Sequence, residues 1–304
     1  MTTTPTTTTE TADERFADID RLPTRELAEL INREDAGVAD AVATQLAEIT
    51  RTVDAVTERL RRGGRLVYAG AGTAGRLGVL DASECPPTFN TDPELVVGLI
   101  AGGRNALVTA IEGAEDDRSL ARTDIADLGI TADDAVIGIS ASGRTPYAVE
   151  AVTAAREIGA FTAGISCNTE TALSAAAEIP IEVVVGPEVV AGSTRLKAGT
   201  AQKLVLNMIS TMTMVRLGKT YGTLMVDVRA TNSKLVARVH RIVGEATGAD
   251  EETVAGAVAA AHGRAKTAIL MIIAGVDAPT AERELDTDGG VLRATLTRLT
   301  GTKE

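Results

Sequence analysis

Tryptophan is absent from the sequence, aromatic residues make up only 2% of it, and there are just two cysteines. Cys85 and Cys167 stand far apart and form no Cys-x-x-Cys pair, which argues against both a disulfide scaffold and a structural zinc site. Because cysteines used in this way fit a reducing compartment, we expect a cytoplasmic protein.

Basic residues are in deficit, and long hydrophobic runs are lacking. The 30 lysines and arginines against 42 acidic residues give a formal net charge of −12, so we expect no binding to nucleic acid or to membranes. Any anionic ligand must be held by a local pocket of donors. The longest apolar run, residues 268–276, is too short to span a membrane. Residues 1–20 begin with a threonine tract without signal-peptide features, and we expect them to form a disordered tail.

A long helix is predicted over residues 22–62, and five short apolar runs follow it. Each run is followed by a Gly or Ser turn and then by a helical pattern. Because runs without polar alternation are typical of strands buried on both faces, the pattern predicts a parallel sheet covered by helices. Ligands of such sheets bind at the carboxyl ends of the strands. The five runs are residues 66–69, 95–100, 135–139, 161–165 and 181–185.

Two helical regions complete the predicted architecture. Residues 203–217 are almost entirely apolar, which indicates a helix that is either central or part of a subunit interface. Further along, the pattern changes to short helices, one of which starts at Asp250 and another after Asp277. We predict a main domain over residues 21–230 and a small helical domain over residues 231–304.

A glycine-rich turn follows the first predicted strand, where Gly70, Gly72 and Gly75 have the spacing G-x-G-x-x-G. A dinucleotide site needs a carboxylate at the end of the second strand, but that strand ends in Ala-Gly-Gly at residues 101–103. We therefore expect no NAD and no other cofactor. We interpret Gly72 and Thr73 as part of a turn that lets a ligand approach the backbone, with a purely structural turn as the alternative.

Hydroxyl side chains gather in the loop that follows the third predicted strand. Ser140, Ser142, Gly143 and Thr145 precede Pro146, which suits the first turn of a helix. Neutral hydroxyl and amide donors at a helix start are what a phosphate monoester requires. An ordinary helix cap needs one hydroxyl where this loop offers three, so we predict that the loop binds phosphate. Ser193 and Lys197, in a later loop, are predicted to surround the same ligand, with Lys197 as a solvated charge being the alternative.

Two glutamates are candidates for acid-base catalysis. Glu84 stands beside the pair Pro86 and Pro87, whose stiff backbone would hold its carboxyl group in place. Glu115 is predicted to face inward, whereas the acidic residues that follow it fit charges in the first turn of a helix.

These motifs together resemble those of the N-acetylmuramic acid 6-phosphate etherases, members of the sugar isomerase (SIS) fold family. The resemblance runs from about residue 22 to beyond residue 293. Its most specific pieces are residues 70–89, 94–103, 110–117, 141–147 and 192–197.

The resemblance implies a three-layer α/β/α sandwich with a parallel sheet, a UBA-like helical C-terminal domain, a homodimer and no metal. It implies that water cleaves the D-lactyl ether of N-acetylmuramic acid 6-phosphate, giving N-acetylglucosamine 6-phosphate and D-lactate in peptidoglycan recycling. Glu84 and Glu115 match the family's two catalytic carboxylates, and Ser140, Ser142 and Thr145 match its phosphate loop.

The chemistry of such an ether favours elimination over direct displacement, which is crowded at a secondary sugar carbon. Ring opening exposes a C1 aldehyde that acidifies the C2 proton, so a carboxylate can remove that proton while lactate leaves from C3. Lactate takes a proton from a carboxylic acid, and water then adds to the alkene. The reaction needs two carboxyl groups in opposite protonation states. We assign Glu84 to lactate and water, and Glu115 to the proton on C2.

Two positions depart from the family pattern, and two other functions stay open. Ala74 stands where the family usually has serine, and Phe16 stands where it has asparagine. A sugar-phosphate aldose-ketose isomerase would share the deprotonation at C2 but would need no acid at C3. A non-catalytic sugar-phosphate sensor resembling the glucokinase regulatory protein would have two sheet domains, where this chain has room for one. The presence of Glu84 and Glu115 favours the etherase.

Overall fold

The computed structural model describes residues 8–228 and 233–301, and the chain divides into two compact units. The first unit comprises Met1–Glu84 and Pro93–Ser210, and the second comprises Cys85–Asp92 and Thr211–Glu304. The boundary predicted between residues 230 and 231 falls outside the described residues. The second unit begins before that boundary because Val226 and Val228 belong to the same apolar cluster as the C-terminal helices.

The beginning of the described chain is ordered rather than a disordered tail. Three short 3-10 helices, Thr8–Glu10, Glu14–Phe16 and Ile19–Arg21, occupy most of residues 8–21. Burial explains the order, since the side chains of Thr9 and Phe16 are both shielded from solvent. The prediction of disorder is therefore wrong for residues 8–20, and residues 1–7 lie outside the described part of the chain.

The single helix predicted over residues 22–62 is three helices in the structure. They are α1 (Thr24–Ala36), α2 (Val38–Ala43) and α3 (Leu46–Arg61). The first break falls at Gly37, a residue that favours helix ends, and the second falls at Thr44 and Gln45.

The predicted parallel sheet is confirmed, and its strands run in the order β2-β1-β3-β4-β5 with every neighbouring pair parallel. Chain order reverses between β1 and β3, which makes that position the topological switch point where such folds bind ligands. The strands are β1 (Leu66–Gly70), β2 (Val96–Ile100), β3 (Ala135–Ile139), β4 (Phe161–Ser166) and β5 (Ile179–Glu182). The fifth strand thus ends before the predicted run of residues 181–185 is complete.

Helices cover both faces of the sheet, as a three-layer sandwich requires. On one face, Val67 of β1 and Val136 of β3 belong to an apolar cluster that includes Ile125 and Ala151 from two covering helices. On the other face, Tyr68 lies against Gly78. The helices between the strands are α4 (Gly72–Phe89), α5 (Arg118–Asp127), α6 (Pro146–Ile158) and α7 (Ala172–Ala176).

The apolar helix predicted at residues 203–217 is α8 (Lys197–Arg216), which begins earlier than expected. Val205 and Ile209 are fully buried, so within the first unit this helix is central. The buried carboxylate of Asp81 on α4 ties it in place by accepting hydrogen bonds from Asn207 Nδ2 at 2.6 Å and Ser210 Oγ at 3.1 Å. Tyr68 Oη donates to the same carboxylate at 2.9 Å, so one side chain joins β1, α4 and α8.

After α8, the described residues of the second unit form a short hairpin and then five helices around their own apolar cluster. Asp250 and Asp277 cap the helices predicted to begin beside them, each accepting a hydrogen bond from the backbone amide three residues on. No helix in the described ranges is long and apolar enough to cross a membrane. The elements are β6 (Thr220–Tyr221), β7 (Leu224–Met225), α9 (Ser233–Thr247), α10 (Glu251–Ala260), α11 (Ala265–Ala274), α12 (Ala278–Thr287) and α13 (Leu292–Thr300).

Asp134 fastens the start of β1 to the start of β3. Its buried carboxylate accepts hydrogen bonds from the backbone N–H of Arg65 at 2.7 Å, from Arg65 Nη2 at 3.0 Å and from the backbone N–H of Thr131 at 2.8 Å. Burial by itself raises the pKa of Asp134, but these donors outweigh it and hold the pKa below its ordinary value of 3.8.

We expect Asp134→Asn to lower the free energy of unfolding at pH 7 by about 2 kcal/mol, since hydrogen bonds to a charged group contribute roughly 1.5–3 kcal/mol. The folded-state pKa of Asp134 lies below 3.8, so the wild type keeps this contribution above that pH and loses it in stronger acid. Urea unfolding at pH 7 and at about pH 3 measures both effects. Asp133→Asn, which alters an exposed ion pair with Arg62, is the control and should cost under about 0.5 kcal/mol. Equal losses in the two variants would contradict the assignment.

Candidate active site

A cavity of about 450 Å³ opens at the carboxyl ends of β1 and β3. Gly70 pairs with Ile139 in the sheet, so the two chains leave neighbouring strands side by side and their loops meet at the switch point. Six of the predicted site residues line this cavity, namely Gly72, Thr73, Glu115, Ser140, Ser142 and Thr145.

The glycine-rich turn after β1 places the amino end of α4 at the cavity. A Cβ atom on Gly75 would lie 2.7 Å from the carbonyl oxygen of Gly70, so only glycine permits this close crossing of strand and helix. Gly72 has a φ of +53°, a conformation that L side chains rarely adopt. The amino end of a helix carries partial positive charge, and the turn therefore offers backbone amides to an anionic or electron-rich ligand.

The hydroxyl loop after β3 forms a compact cluster at the start of α6. Ser140 Oγ lies 2.8 Å from Thr145 Oγ1 and 3.3 Å from Ser142 Oγ. Thr145 is the N-cap residue of α6, yet its side chain makes no capping hydrogen bond, and Pro146 occupies the first turn as predicted. The hydroxyl of Thr145 is therefore turned to its neighbours in the cluster and not to the helix backbone.

Gly143 supports the hydroxyl loop without lining the cavity. Its φ is +66°, and a Cβ atom there would lie 2.4 Å from Thr171 Oγ1. The carbonyl oxygen of Gly143 also accepts a hydrogen bond of 2.9 Å from the backbone N–H of Leu173 on α7. In the structure Gly143 therefore connects the loop to α7, whereas the sequence predicted that it binds the ligand directly.

Lys197 is neither in the cavity lining nor a solvated surface charge. Its ammonium pairs with Glu34 Oε2 at 2.9 Å, and its side chain is only 5% exposed. Glu188 accepts hydrogen bonds from the backbone N–H groups of Lys197 and Ala198, which satisfies the first turn of α8. Lys197 therefore forms a buried ion pair with Glu34 in this structure. Ser193 is also absent from the cavity lining, where its neighbour Thr194 is present.

The two predicted catalytic carboxylates lie in different cavities of the chain. Glu115 is an exposed residue of a 3-10 turn, Ala114–Asp116, and lines the main cavity. Glu84 lies 12 residues after Gly72 on α4, which at 1.5 Å per residue is about 18 Å further along the helix axis. It lines a separate cleft of about 210 Å³ together with Leu80 and Lys203.

The pair of prolines beside Glu84 does not end the helix. Pro86 and Pro87 lie inside α4, which continues to Phe89. The two rings remove the backbone N–H groups that would bond the carbonyls of Ala82 and Ser83. Glu84 is an exposed residue on the surface of this helix. The two prolines restrict the helix backbone that follows Glu84 and do not fix the direction of its carboxyl group.

Four further polar residues that the sequence motifs did not point to line the main cavity: Glu10, Arg144, Thr194 and Gln202. Gln202 is the most informative, since its side chain is buried and its Nε2 has no hydrogen-bond partner among the described residues. The sequence offered one indication of Gln202, because it is a polar residue directly before the nearly all-apolar run of residues 203–217. Glu10 was overlooked because its segment was expected to be disordered.

Comparison with known proteins shows which proteins this chain is similar to. Residues 48–156 match the glucokinase regulatory protein N-terminal SIS domain. The N-acetylmuramic acid 6-phosphate etherase of Streptomyces avermitilis is 65% identical over 291 residues, covering 96% of this chain and 94% of the relative. That of Mycolicibacterium smegmatis is 56% identical over 288 residues, covering 95% and 97%.

The chain belongs to the N-acetylmuramic acid 6-phosphate etherase family.

Solved structures agree with this etherase family's expected fold. A phosphoheptose isomerase from Francisella tularensis matches with a TM-score of 0.51 at 17% identity, covering 64% of this chain and 100% of the other. One from Neisseria gonorrhoeae matches with a TM-score of 0.50 at 18% identity, covering 63% and 98%. At these identities the likeness concerns the sheet and its helices only.

The two departures from the etherase pattern fall in different surroundings. Ala74 lines the main cavity, so the hydroxyl that a serine would bring is missing from its wall. Phe16 is buried, and the guanidinium of Arg15 stacks on its ring at 4.8 Å from the centroid. The first departure changes the donors offered to a ligand, and the second changes packing in the N-terminal segment.

Replacing Ser142 and Thr145 together by alanine should weaken the binding of inorganic phosphate roughly 100-fold, because two hydroxyl donors to a charged ligand are lost. Isothermal titration of the variant with phosphate measures the change. Thr153→Ala is a matched control, since Thr153 Oγ1 donates to the carbonyl of Val149 within α6. Unchanged phosphate affinity in the double variant would show that the loop does not bind phosphate.

Proposed function

We propose that the chain cleaves the D-lactyl ether of N-acetylmuramic acid 6-phosphate with water, giving N-acetylglucosamine 6-phosphate and D-lactate. The observation that carries this proposal is the meeting of the hydroxyl loop and Glu115 in one cavity. Membership of the etherase family supports the identity of the substrate. The reaction would serve peptidoglycan recycling in the cytoplasm, where Cys85 and Cys167, both buried thiols in this fold, would stay reduced.

The phosphate of the substrate would bind at the hydroxyl loop. Ser140, Ser142 and Thr145 can exchange their hydrogen bonds with one another for hydrogen bonds to phosphate oxygens. The amino end of α6 adds backbone N–H groups and partial positive charge. A cavity of about 450 Å³ is within the range that suits a small ligand such as a phosphorylated amino sugar. The hydroxyl and amide donors are neutral, and Arg144 of the same loop adds one positive charge to the cavity wall.

The remaining wall of the cavity would serve the chemistry at C2. With the ring open, the C1 aldehyde makes the C2 proton acidic, and a carboxylate can remove it. Glu115 is the proposed base because it lines the cavity that holds the hydroxyl loop. Negative charge then develops on the C1 oxygen, and the backbone amides of Gly72 and Thr73, which line the same cavity, would stabilise it.

Glu84 is the proposed acid that protonates lactate as it leaves from C3, and it would later activate the water that adds there. Within one chain Glu84 lies in a different cleft from Glu115. Leu80, on the same helix, is a large apolar side chain left 53% exposed beside that cleft. A homodimer in which Glu84 of one copy reaches the cavity of the other would account for both features, and C2 dimers are the commonest assembly of this kind.

Reaction in deuterated, oxygen-18 water tests the proposed function. Elimination followed by addition of water should place deuterium on C2 and oxygen-18 on C3 of N-acetylglucosamine 6-phosphate. The lactate should carry no oxygen-18. Mass spectrometry of both products measures this. Release of no lactate would contradict the proposal and leave an isomerase or a sensor, and label in the lactate would contradict elimination.

We expect Glu84→Gln to reduce lactate release by on the order of 10²- to 10⁴-fold, the usual contribution of general acid-base catalysis. This variant should still exchange the C2 proton with solvent. Glu115→Gln should lose exchange and lactate release together. Glu112→Gln, in the same loop as Glu115 but outside the main cavity lining, is the control and should keep wild-type rates. Loss of C2 exchange in Glu84→Gln alone would reverse the assigned roles.

A further inference from the structure

Glu10 brings an additional carboxylate into the main cavity. It belongs to the 3-10 turn Thr8–Glu10 and lines the cavity together with Ser142 and Thr194. Nothing in the proposed mechanism uses it, since the base and the acid are Glu115 and Glu84. The placement of this residue therefore calls for a separate explanation.

The segment that carries Glu10 is fastened to the walls of the cavity. The fully buried Thr9 accepts a hydrogen bond of 3.1 Å on its carbonyl from the backbone N–H of Gly192. Asn168 Nδ2 donates to Thr9 Oγ1 at 3.2 Å and also to the carbonyl of Ala141, at 3.0 Å, in the hydroxyl loop. The turn is thus attached both to the loop before α8 and, through Asn168, to the hydroxyl loop.

The carboxylate of Glu10 lies close to the backbone of Gly192. It has a φ of +75°, and a Cβ atom there would come within 2.9 Å of Glu10 Oε2. The missing side chain leaves room for the carboxylate to lie against the backbone of the loop. Glu10 is exposed, and its carboxylate lies beside the backbone of this loop at one wall of the cavity.

The charge of Glu10 makes it unsuitable for binding the phosphate itself. The cavity lining already includes Glu115 and Asp116, and a further carboxylate repels an anion. A carboxylate has only acceptor sites, so a favourable partner is an N–H or O–H donor. Among the described residues, no hydrogen bond to the Glu10 carboxylate is found. Gln202 lines the same cavity, and its buried Nε2 has no hydrogen-bond partner among the described residues.

We propose that Glu10 accepts a hydrogen bond from a neutral donor of the amino-sugar phosphate, either a hydroxyl group or the acetamide N–H. This inference rests on the proposed function, because it takes the substrate class from it. Glu10 is then a specificity-determining residue. It favours a phosphorylated sugar over inorganic phosphate, whereas the hydroxyl loop binds the phosphate that both share.

Calorimetric titration with three ligands tests this role: N-acetylglucosamine 6-phosphate, glucose 6-phosphate and inorganic phosphate. Glu10→Ala should weaken the binding of N-acetylglucosamine 6-phosphate roughly 10- to 100-fold, as the loss of a hydrogen bond to a charged acceptor predicts. Glu10→Gln, which keeps one acceptor oxygen, should restore part of the affinity. Phosphate should bind both variants as tightly as wild type or more tightly, since a negative charge has been removed.

Glu14, an exposed glutamate in the next 3-10 helix and outside the cavity lining, supplies the matched controls Glu14→Ala and Glu14→Gln. Both controls should bind all three ligands as tightly as the wild type.

A loss of affinity for both sugar phosphates in Glu10→Ala identifies a hydroxyl as the donor, and a loss for the acetylated sugar alone identifies the acetamide. Wild-type affinity of Glu10→Ala for N-acetylglucosamine 6-phosphate overturns the inference. Equal weakening of phosphate also overturns it, because that indicates damage to the cavity. A wild-type protein that binds neither sugar phosphate overturns the proposed function as well.

Discussion

Parallel pairing of β1 with both β2 and β3 is the constraint on which the candidate site depends. Gly70 pairs with Ile100 on one side and with Ile139 on the other, so three chain segments leave the sheet at the same level. The turn into α4 and the hydroxyl loop are adjacent for that reason alone. The close approach of Gly70 and Gly75 then lets α4 start at the edge of the sheet, where its amino end can act on a ligand.

Electrostatics explains why the proposed phosphate site uses hydroxyl groups. The chain carries a net charge of −12, and Lys197, which was predicted to lie beside the ligand, is buried in an ion pair with Glu34. Hydroxyl groups and helix ends attract a phosphate without carrying a full charge, and Arg144 is the one cation among the described residues that line the cavity with Glu115.

The sheet and the hydroxyl loop could be predicted from the sequence because both depend on local patterns. Short unbroken apolar runs indicate buried parallel strands, and three hydroxyls before Pro146 indicate a loop at a helix start. Long-range contacts were not predictable in this way. Burial of Thr9 and Phe16 orders a segment whose composition suggested disorder, and a partner from α1 takes Lys197 away from the ligand. The separation of Glu84 from Glu115 follows from the length of α4, which the pair of prolines does not interrupt.

The proposed sharing of carboxylates between two copies of the chain is tested most directly by mixing two inactive variants. When Glu84→Gln and Glu115→Gln proteins exchange subunits, each mixed dimer contains one cavity with both native glutamates, provided that Glu84 comes from the partner. Random exchange should then restore about one quarter of the wild-type rate of lactate release. If Glu84 and Glu115 of the same chain act together, every cavity in the mixture lacks one of them. Activity that stays at the level of the separate variants, although light scattering and native mass spectrometry show mixed dimers, would contradict the account.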